Sequence, residues 1–226
     1  MQVTPYYLSP AATLHIGRRG IEQEQTLPYA PADTLFAALL VAAMEAGYPP
    51  QVWGQAFAPS QQAPFWLGSA FPYAGGVRFY PLPQVDLAAY DLPTDNAKRL
   101  RGIAYISQGI WERLVQGRPL KRCFPSEDAD GEGAFLQDGA LWLTRDEVNA
   151  LPDEMRYLPG PPARRGRPLR ALAQLALWRE EQMPRVTVDR LQRGSEIYYT
   201  GRVAFALGCG LWFPVAWRRP EAPAAL

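Results

Sequence analysis

The chain has 226 residues, enough for one large domain or two small ones, and its 48% hydrophobic residues can supply an ordinary buried core. A net charge of +1 points to no particular partner, and no apolar run approaches the ~20 residues that span a bilayer. Two cysteines without a CxxC pair and a single histidine leave no zinc site to propose. The N-terminus lacks the charged-then-apolar pattern of a signal peptide, so a cytoplasmic protein is expected.

Residues 3–8 and 13–16 are strand-like, with a turn at Ser9-Pro10 between them. The second run, Leu14-His15-Ile16, ends at Gly17. Arg18, Arg19 and Gly20 then form a basic elbow, and a polar loop leads to a helix. Asp33 is placed to cap that helix and Gly47 to end it with a positive φ. Between them Leu35, Phe36, Ala38, Leu39, Leu40, Ala42 and Ala43 leave almost no polar face, which predicts a helix covered nearly all round. Residues 47–64 read as a loop tucked down by Trp53 and Phe57, and residues 65–72 and 77–82 as a hairpin about Ala74-Gly75-Gly76.

A polar connector, 84–96, leads to a strand at 98–106, alternating toward Ile103 and Tyr105. Ser107 then caps a helix at 108–115 with Ile110, Trp111 and Leu114 on one side, ended by Gly117. Residues 118–153 read as the least globular part, with an acidic, glycine-bearing stretch at 126–133 and a protruding hairpin at 136–143. Four prolines make 157–170 an arginine-rich linker, and 171–181 is a predicted helical segment. Residues 186–189 and 197–205 form a second hairpin with an arginine-bearing tip, 211–217 a last strand, and the remainder a loose end. This order suits an α+β fold of ferredoxin-like type, an antiparallel sheet with helices on one face.

The charges are sorted along the chain. Residues 98–122 hold seven basic residues against one acid, 127–154 nine acids against one base, and 156–193 nine arginines against three acids. Such blocks can cancel in sum while giving one face a positive potential, although charge runs are more often plain solvated surface. The elbow Gly17-Arg18-Arg19-Gly20 joins strand to helix, where glycines let N–H groups approach a phosphate and guanidinium groups bind it bidentately. Lys98, Arg99 and Arg101 precede a strand carrying Tyr105, a pattern that can neutralise a nucleic-acid backbone and stack a base, or simply begin an exposed strand. Arg185, Arg190 and Arg193 flank the second hairpin, where they can face RNA or pair with Asp189 or Glu196. Arg164, Arg165, Arg167 and Arg170 would make nonspecific phosphate contacts or none. His15 alternates with aliphatic neighbours, and no sequence partner orients it for acid-base chemistry, so a structural or RNA-contacting role is expected. No catalytic set, Walker loop or dinucleotide fingerprint is present, and no cofactor is expected.

Four segments in fixed order carry a family resemblance: residues 17–40 (GRRGIEQEQTLPYAPADTLFAALL), 68–83 (GSAFPYAGGVRFYPLP), 98–107 (KRLRGIAYIS) and 184–213, with PRVTVDR and IYYTGRVAFALGCGLWF. Together they resemble the fourth Csm subunit, the Cas-five-like RAMP subunit of type III-A CRISPR effector complexes. The resemblance implies RRM-like modules, two per chain, with an inserted thumb hairpin. The first module would span 1–181 with its hairpin and arginine-rich linker, and 182–226 would begin a second, incomplete one. Beyond Trp217 only RRPEAPAAL follows, where such proteins continue into a helix and a glycine-rich loop. The implied function is non-catalytic: the elbow, with His15, holds the 5′ handle of the crRNA. The implied partners are that crRNA, the large Cas-ten-type polymerase subunit and the adjoining backbone RAMP subunit, without a membrane. Two alternatives stay open, a RAMP-type endoribonuclease that uses His15 on precursor crRNA, and a protein-protein scaffold without RNA contact.

Overall fold

The computed structural model describes residues 1–18, 25–58, 63–92, 97–125, 131–157, 171–188 and 195–218. Its most heavily paired element is the C-terminal strand β12 (Cys209–Trp217). Its Leu-Trp-Phe-Pro-Val run suits a strand buried on its pleated surface. One edge pairs antiparallel with β1 (Gln2–Leu8), from Gln2 opposite Trp217 to Leu8 opposite Leu211. The other edge takes β5 (Phe71–Ala74) along its first half and β4 (Phe65–Leu67) along its last residues. From β5 the sheet continues through β6 (Val77–Pro81), β7 (Tyr105–Ser107) and β9 (Leu141–Thr144) to β8 (Gly133–Leu136). Among the described residues only β7 and β9 run parallel, so the protein is α+β with a mixed eight-stranded sheet.

The turn from β5 to β6 is Gly75-Gly76, as the sequence predicts. Gly75 has φ +55°, and a Cβ there would lie 2.4 Å from the Ala150 carbonyl oxygen, so hand and space both require glycine.

Strand alternation sorts the core into two faces. On one lie Ala74, Val77, Phe79, Tyr105, Leu136, Leu141 and Leu143, roofed by Leu175, Leu177, Trp178 and Val203. Near β12 that face continues as Leu211, Phe213, Val215 and Trp217. There it meets Leu35 and Phe36 of α1 (Ala32–Glu45) and Trp53 of α2 (Pro50–Ala56). On the other face Ile106 and Trp142 are covered by Ile110 and Leu114 of α4 (Gln108–Val115) and by Leu120, Cys123 and Phe124.

Helix α4 forms where the sequence places it. The Ser107 hydroxyl accepts from the Ile110 N–H at 3.4 Å and donates in turn to the Glu147 carboxylate. Glu147 also accepts from Gly109 N–H at 2.8 Å, Thr144 N–H at 3.0 Å and the Thr144 hydroxyl at 2.8 Å. One carboxylate thus ties the N-terminus of α4 to β7 and β9, where a negative charge also complements the helix dipole.

Several expectations are corrected. Pro31, not Asp33, occupies the N-cap of α1. The first-turn N–H of Ala32 donates to Ser69 Oγ at 3.2 Å, while Asp33 sits inside the first turn and accepts from Thr34 N–H. The C-terminal end does follow the sequence, since Gly47 has φ +92° and the Gly47 and Tyr48 N–H groups bond back to Met44 and Ala43. Helix α1 is not covered all round: of its residues only Leu35 is buried. Residues 98–106 are not one strand, because Ala, Lys, Arg and Leu favour a helix, α3 (Ala97–Gly102), before β7 begins. The hairpin at 136–143 does not protrude but is β8 and β9 themselves, with Leu136, Leu141, Trp142 and Leu143 fully buried. Residues 171–181 hold only a short 3₁₀ turn at 172–174. Trp178 then begins β10 (Trp178–Val188), which pairs along eleven residues with β11 (Ser195–Phe205). The expected boundary between 181 and 182 falls inside β10. The linker arginines, the hairpin tip and the loose end beyond residue 218 lie outside the described residues. Among the described residues no helix is long and apolar enough to cross a membrane.

Two predictions follow from the core. Glu147→Ala leaves the Gly109 and Thr144 donors without their acceptor and should cost about 2–4 kcal/mol, read as a lowered midpoint in urea unfolding. Cys123 and Cys209 are both buried, and burial pushes the Cys209 thiol up to about 12 and the Cys123 thiol up as well. Both should resist a disulfide reagent in the native protein at pH 8 and react on unfolding. The unfolded chain would lose the Cys209 proton near 9 while the folded chain keeps it. That thiol's contribution to stability is therefore whole below pH 9 and is lost between pH 9 and 12.

Candidate functional site

The basic elbow starts from a firmly held segment. Leu14 and Val203 of β11 exchange two backbone hydrogen bonds, at 2.8 and 2.7 Å. On the other side Ile16 N–H donates to Thr26 Oγ1 at 3.3 Å, and Leu27 N–H donates to the Ile16 carbonyl at 2.9 Å. Two short strands, β2 (Gly17–Arg18) and β3 (Gln25–Thr26), then pair, with Gly17 opposite Thr26. The elbow therefore rises from a base pinned between β11 and β3. Gly17 and Arg18 stand at its start, while Arg19 and Gly20 lie outside the described residues.

His15 is exposed, and its Nδ1 lies 2.7 Å from the Gly201 carbonyl oxygen of β11. The sequence shows no group to orient this ring; the structure supplies a backbone carbonyl 186 residues away, which no sequence pattern announces. A Cβ at Gly17 would come within 3.2 Å of His15 Nε2, so glycine keeps that side of the ring open. Beside it Arg202 Nη1 donates to Thr13 Oγ1 at 3.4 Å.

Strand β11 joins this base to the third candidate set. Arg185 stands exposed on β10 opposite Tyr198, five residue pairs beyond Val203, or about 17 Å along the ribbon. Arg190 and Arg193 lie outside the described residues. The same ribbon exposes Met183, Val186, Tyr198 and Tyr199, side chains that the sequence reading did not single out. Cations and aromatic rings on one narrow ribbon can contact both the phosphates and the bases of a single strand.

Lys98, Arg99 and Arg101 form a separate set on α3, all exposed. Lys98 and Arg99 line a groove of about 830 Å³ together with Phe135, Asp138, Arg145 and Leu172; Arg101 is not among its lining residues. Arg145 was passed over because it is the one base in an acidic block. Tyr105 is removed from the set. It is buried, its ring lies edge-on to Trp178 at 6.0 Å, and burial pushes its phenol above the usual range, so it stacks on the core and not on a base. The sorted charge blocks also meet each other, since Arg122 and Arg113 approach Glu132 at 3.1 and 3.6 Å. Among the described residues no group of His, Cys, Asp and Glu could hold a metal ion.

No protein-family model matches the chain, and no curated protein matches it. Solved structures do. A chain in the crystal structure of the Csm3-Csm4 subcomplex in the type III-A CRISPR-Cas interference complex is similar with TM-score 0.60 and 9% identity, over 98% of this chain and 60% of that one. A chain in the crystal structure of a Csm1-Csm4 cassette in complex with pppApA is similar with TM-score 0.49 and 18% identity, over 95% of this chain and 58% of that one. At such identities the first likeness shows a shared fold, and the chain spans about 60% of the length of the structure that carries it.

Because the α3 groove and the β10–β11 ribbon are separate cation sets without shared partners, their effects should add. Lys98→Ala with Arg99→Ala, and Arg185→Ala alone, should each leave stability within about 0.5 kcal/mol. In a filter-binding titration with a single-stranded polyanion, the triple variant should lose the sum of the two separate losses.

Proposed function

We propose that this chain is a non-catalytic, crRNA 5′-handle-binding and assembly subunit of a type III-A CRISPR surveillance complex, built on ferredoxin-like RAMP modules. The observation that carries the reading is a coincidence of order and place. The four segments that resemble the family occupy β2 through α1, the β5–β6 hairpin, α3 with β7, and β10 through β12. Their fold is shared over 98% of the chain with a chain of the Csm3-Csm4 subcomplex. The pinned elbow at Gly17-Arg18 takes the handle, its guanidinium groups holding phosphate through charge-assisted bonds. The ribbon and the α3 groove follow the RNA backbone. The partners are the crRNA, the backbone RAMP subunit, which the Csm3-Csm4 likeness supports, and the large Cas-ten-type subunit, which the sequence resemblance supports.

One observation favours a second reading, a RAMP-type endoribonuclease: His15 is exposed and its ring is oriented by the Gly201 carbonyl, as a general acid or base would need. The purified chain, incubated with a repeat-containing transcript, is expected to leave it intact. Site-specific cleavage that disappears in His15→Ala would replace the first reading with the second.

For the first reading, Arg18→Ala with Arg19→Ala should weaken binding of a handle oligonucleotide by about 1.5–3 kcal/mol per lost charge-assisted contact. The slope of log K against log salt should shrink by about 0.7 for each single-strand phosphate contact removed. Unchanged handle affinity and slope in the double variant would take the elbow out of the site.

A further inference from the structure

Lys98 and Arg99 of α3 and Arg145, which follows β9, line one groove with Asp138, between α3, the turn from β8 to β9 and the 3₁₀ turn at 172–174. Its volume of about 830 Å³ falls in the range of roughly 300–1,000 Å³ usual for small-ligand sites, far more room than one phosphate needs. Arg113 and Arg122 are engaged by Glu132, whereas among the described residues no ion pair takes up Lys98, Arg99 or Arg145. Three exposed, unpaired cations around one groove favour a ligand that carries phosphate.

Asp138 says what else that ligand carries. A bare phosphate track would place no carboxylate among its cations, because the two repel, so the ligand presents N–H donors at this point. The turn that carries Asp138 is firmly held. Gln137 and Asp138 both have φ +53°. Gln137 N–H donates to the Leu175 carbonyl at 2.8 Å, its side-chain amide donates to the Trp178 carbonyl at 2.9 Å, and its Oε1 accepts from Leu177 N–H at 2.8 Å. Among the RNA bases guanine offers two adjacent donors, N1–H and N2–H, on its Watson–Crick edge, whereas adenine, cytosine and uracil each set an acceptor beside a single donor group. The apolar lining suits a base too. Phe135 is half-buried and held edge-on by Phe124 at 5.4 Å, and half-buried Leu172 lines the same groove.

We propose that the groove between α3 and the β8–β9 turn is a pocket for one unpaired guanosine 5′-phosphate unit, its base edge read by Asp138 and its phosphates held by Lys98, Arg99 and Arg145. The inference rests on the RNA-binding reading above and adds base selectivity to it, at a place separate from the elbow and the ribbon.

The test measures fluorescence anisotropy of the full chain with a single-stranded oligoadenylate in which one central residue is guanosine, inosine or adenosine. The guanosine oligomer should bind about tenfold or more tighter than the all-adenosine one, and the inosine oligomer, which lacks the N2 amino group, should fall between them. Asp138→Asn keeps a residue type that tolerates the left-handed turn. It should remove the preference and bind the all-adenosine oligomer more tightly, because a repelling charge is gone. Lys98→Ala with Arg99→Ala should weaken all three oligomers alike, flatten the salt dependence and keep the preference. Guanosine 5′-monophosphate as competitor separates the two sources of the unit: displacement of the guanosine oligomer from wild type but not from Asp138→Asn assigns the pocket to the free nucleotide, and no displacement with the preference intact assigns it to RNA. Equal wild-type affinity for the three oligomers, or a guanosine preference that survives Asp138→Asn, would overturn the inference. So would a decaglutamate peptide that competes as well as the guanosine oligomer does. If wild type binds no oligomer, the RNA-binding reading fails; the pocket then stands only if guanosine 5′-monophosphate binds wild type and not Asp138→Asn, and falls otherwise.

Discussion

Strand β12 is the constraint on which the architecture depends. It joins β1 on one edge to β5 and β4 on the other, so the sheet is continuous only because residues near 210 meet partners near residues 5 and 70. These contacts are distant in sequence, and closing such loops carries an entropic cost before any contact rewards it. The apolar side chains that β12 presents in alternation, from Cys209 to Trp217, offset that cost by forming one wall of both the central and the α1-side core. The tight approaches agree with this. A Cβ on Gly210 would come within 2.1 Å of the Leu8 carbonyl oxygen, so β1 could not sit where it does beside any larger residue.

Much of the fold could be read from the chain because local signals and tertiary demands agreed there. Ser107, the α4 stripe and Gly117 specify a capped helix unaided, and Gly75-Gly76 marks a turn whose hand only glycine tolerates freely. Where the reading failed, tertiary burial or a local propensity had overridden the pattern. Trp142 and its neighbours look like an ordinary short apolar run, and nothing in their spacing says that they end a parallel pair with β7. Trp178 begins a long strand because Phe205 lies opposite it, a partner invisible to any local window. The α3 residues are good helix formers and behave as such despite the alternation just after them.

The candidate site divides in the same way. Its cationic residues were visible as residue types, but the strand expected at 13–16 is only a bridge at Leu14, and Gly17 and Arg18, expected to turn, are themselves a short strand paired with Gln25–Thr26. Invisible were the groups that arrange them: the Gly201 carbonyl that orients His15, the Val203 bridge that pins Leu14, and the groove that adds Arg145 to Lys98 and Arg99. Each is a contact between segments far apart in the chain. Charge sorting overstated the free positive surface, because Glu132 from the acidic block takes up Arg113 and Arg122 from the basic one.

The β10–β11 ribbon has a dynamic consequence. Among the described residues its two strands pair only with each other, apart from the bridge at Val203. At its foot Trp178 and Val203 are buried, whereas Arg185, Val186 and Tyr198 farther out are exposed. A two-stranded sheet without a packed face is only marginally stable, so opening should begin at the outer rungs and stop where burial starts. Amide protons along each strand would then exchange in a graded series, fast at the outer end and slow at the foot. The outer rungs of the ribbon would adjust their shape at small energetic cost, while Leu14 and Ile16 beside its foot stay held by their backbone hydrogen bonds.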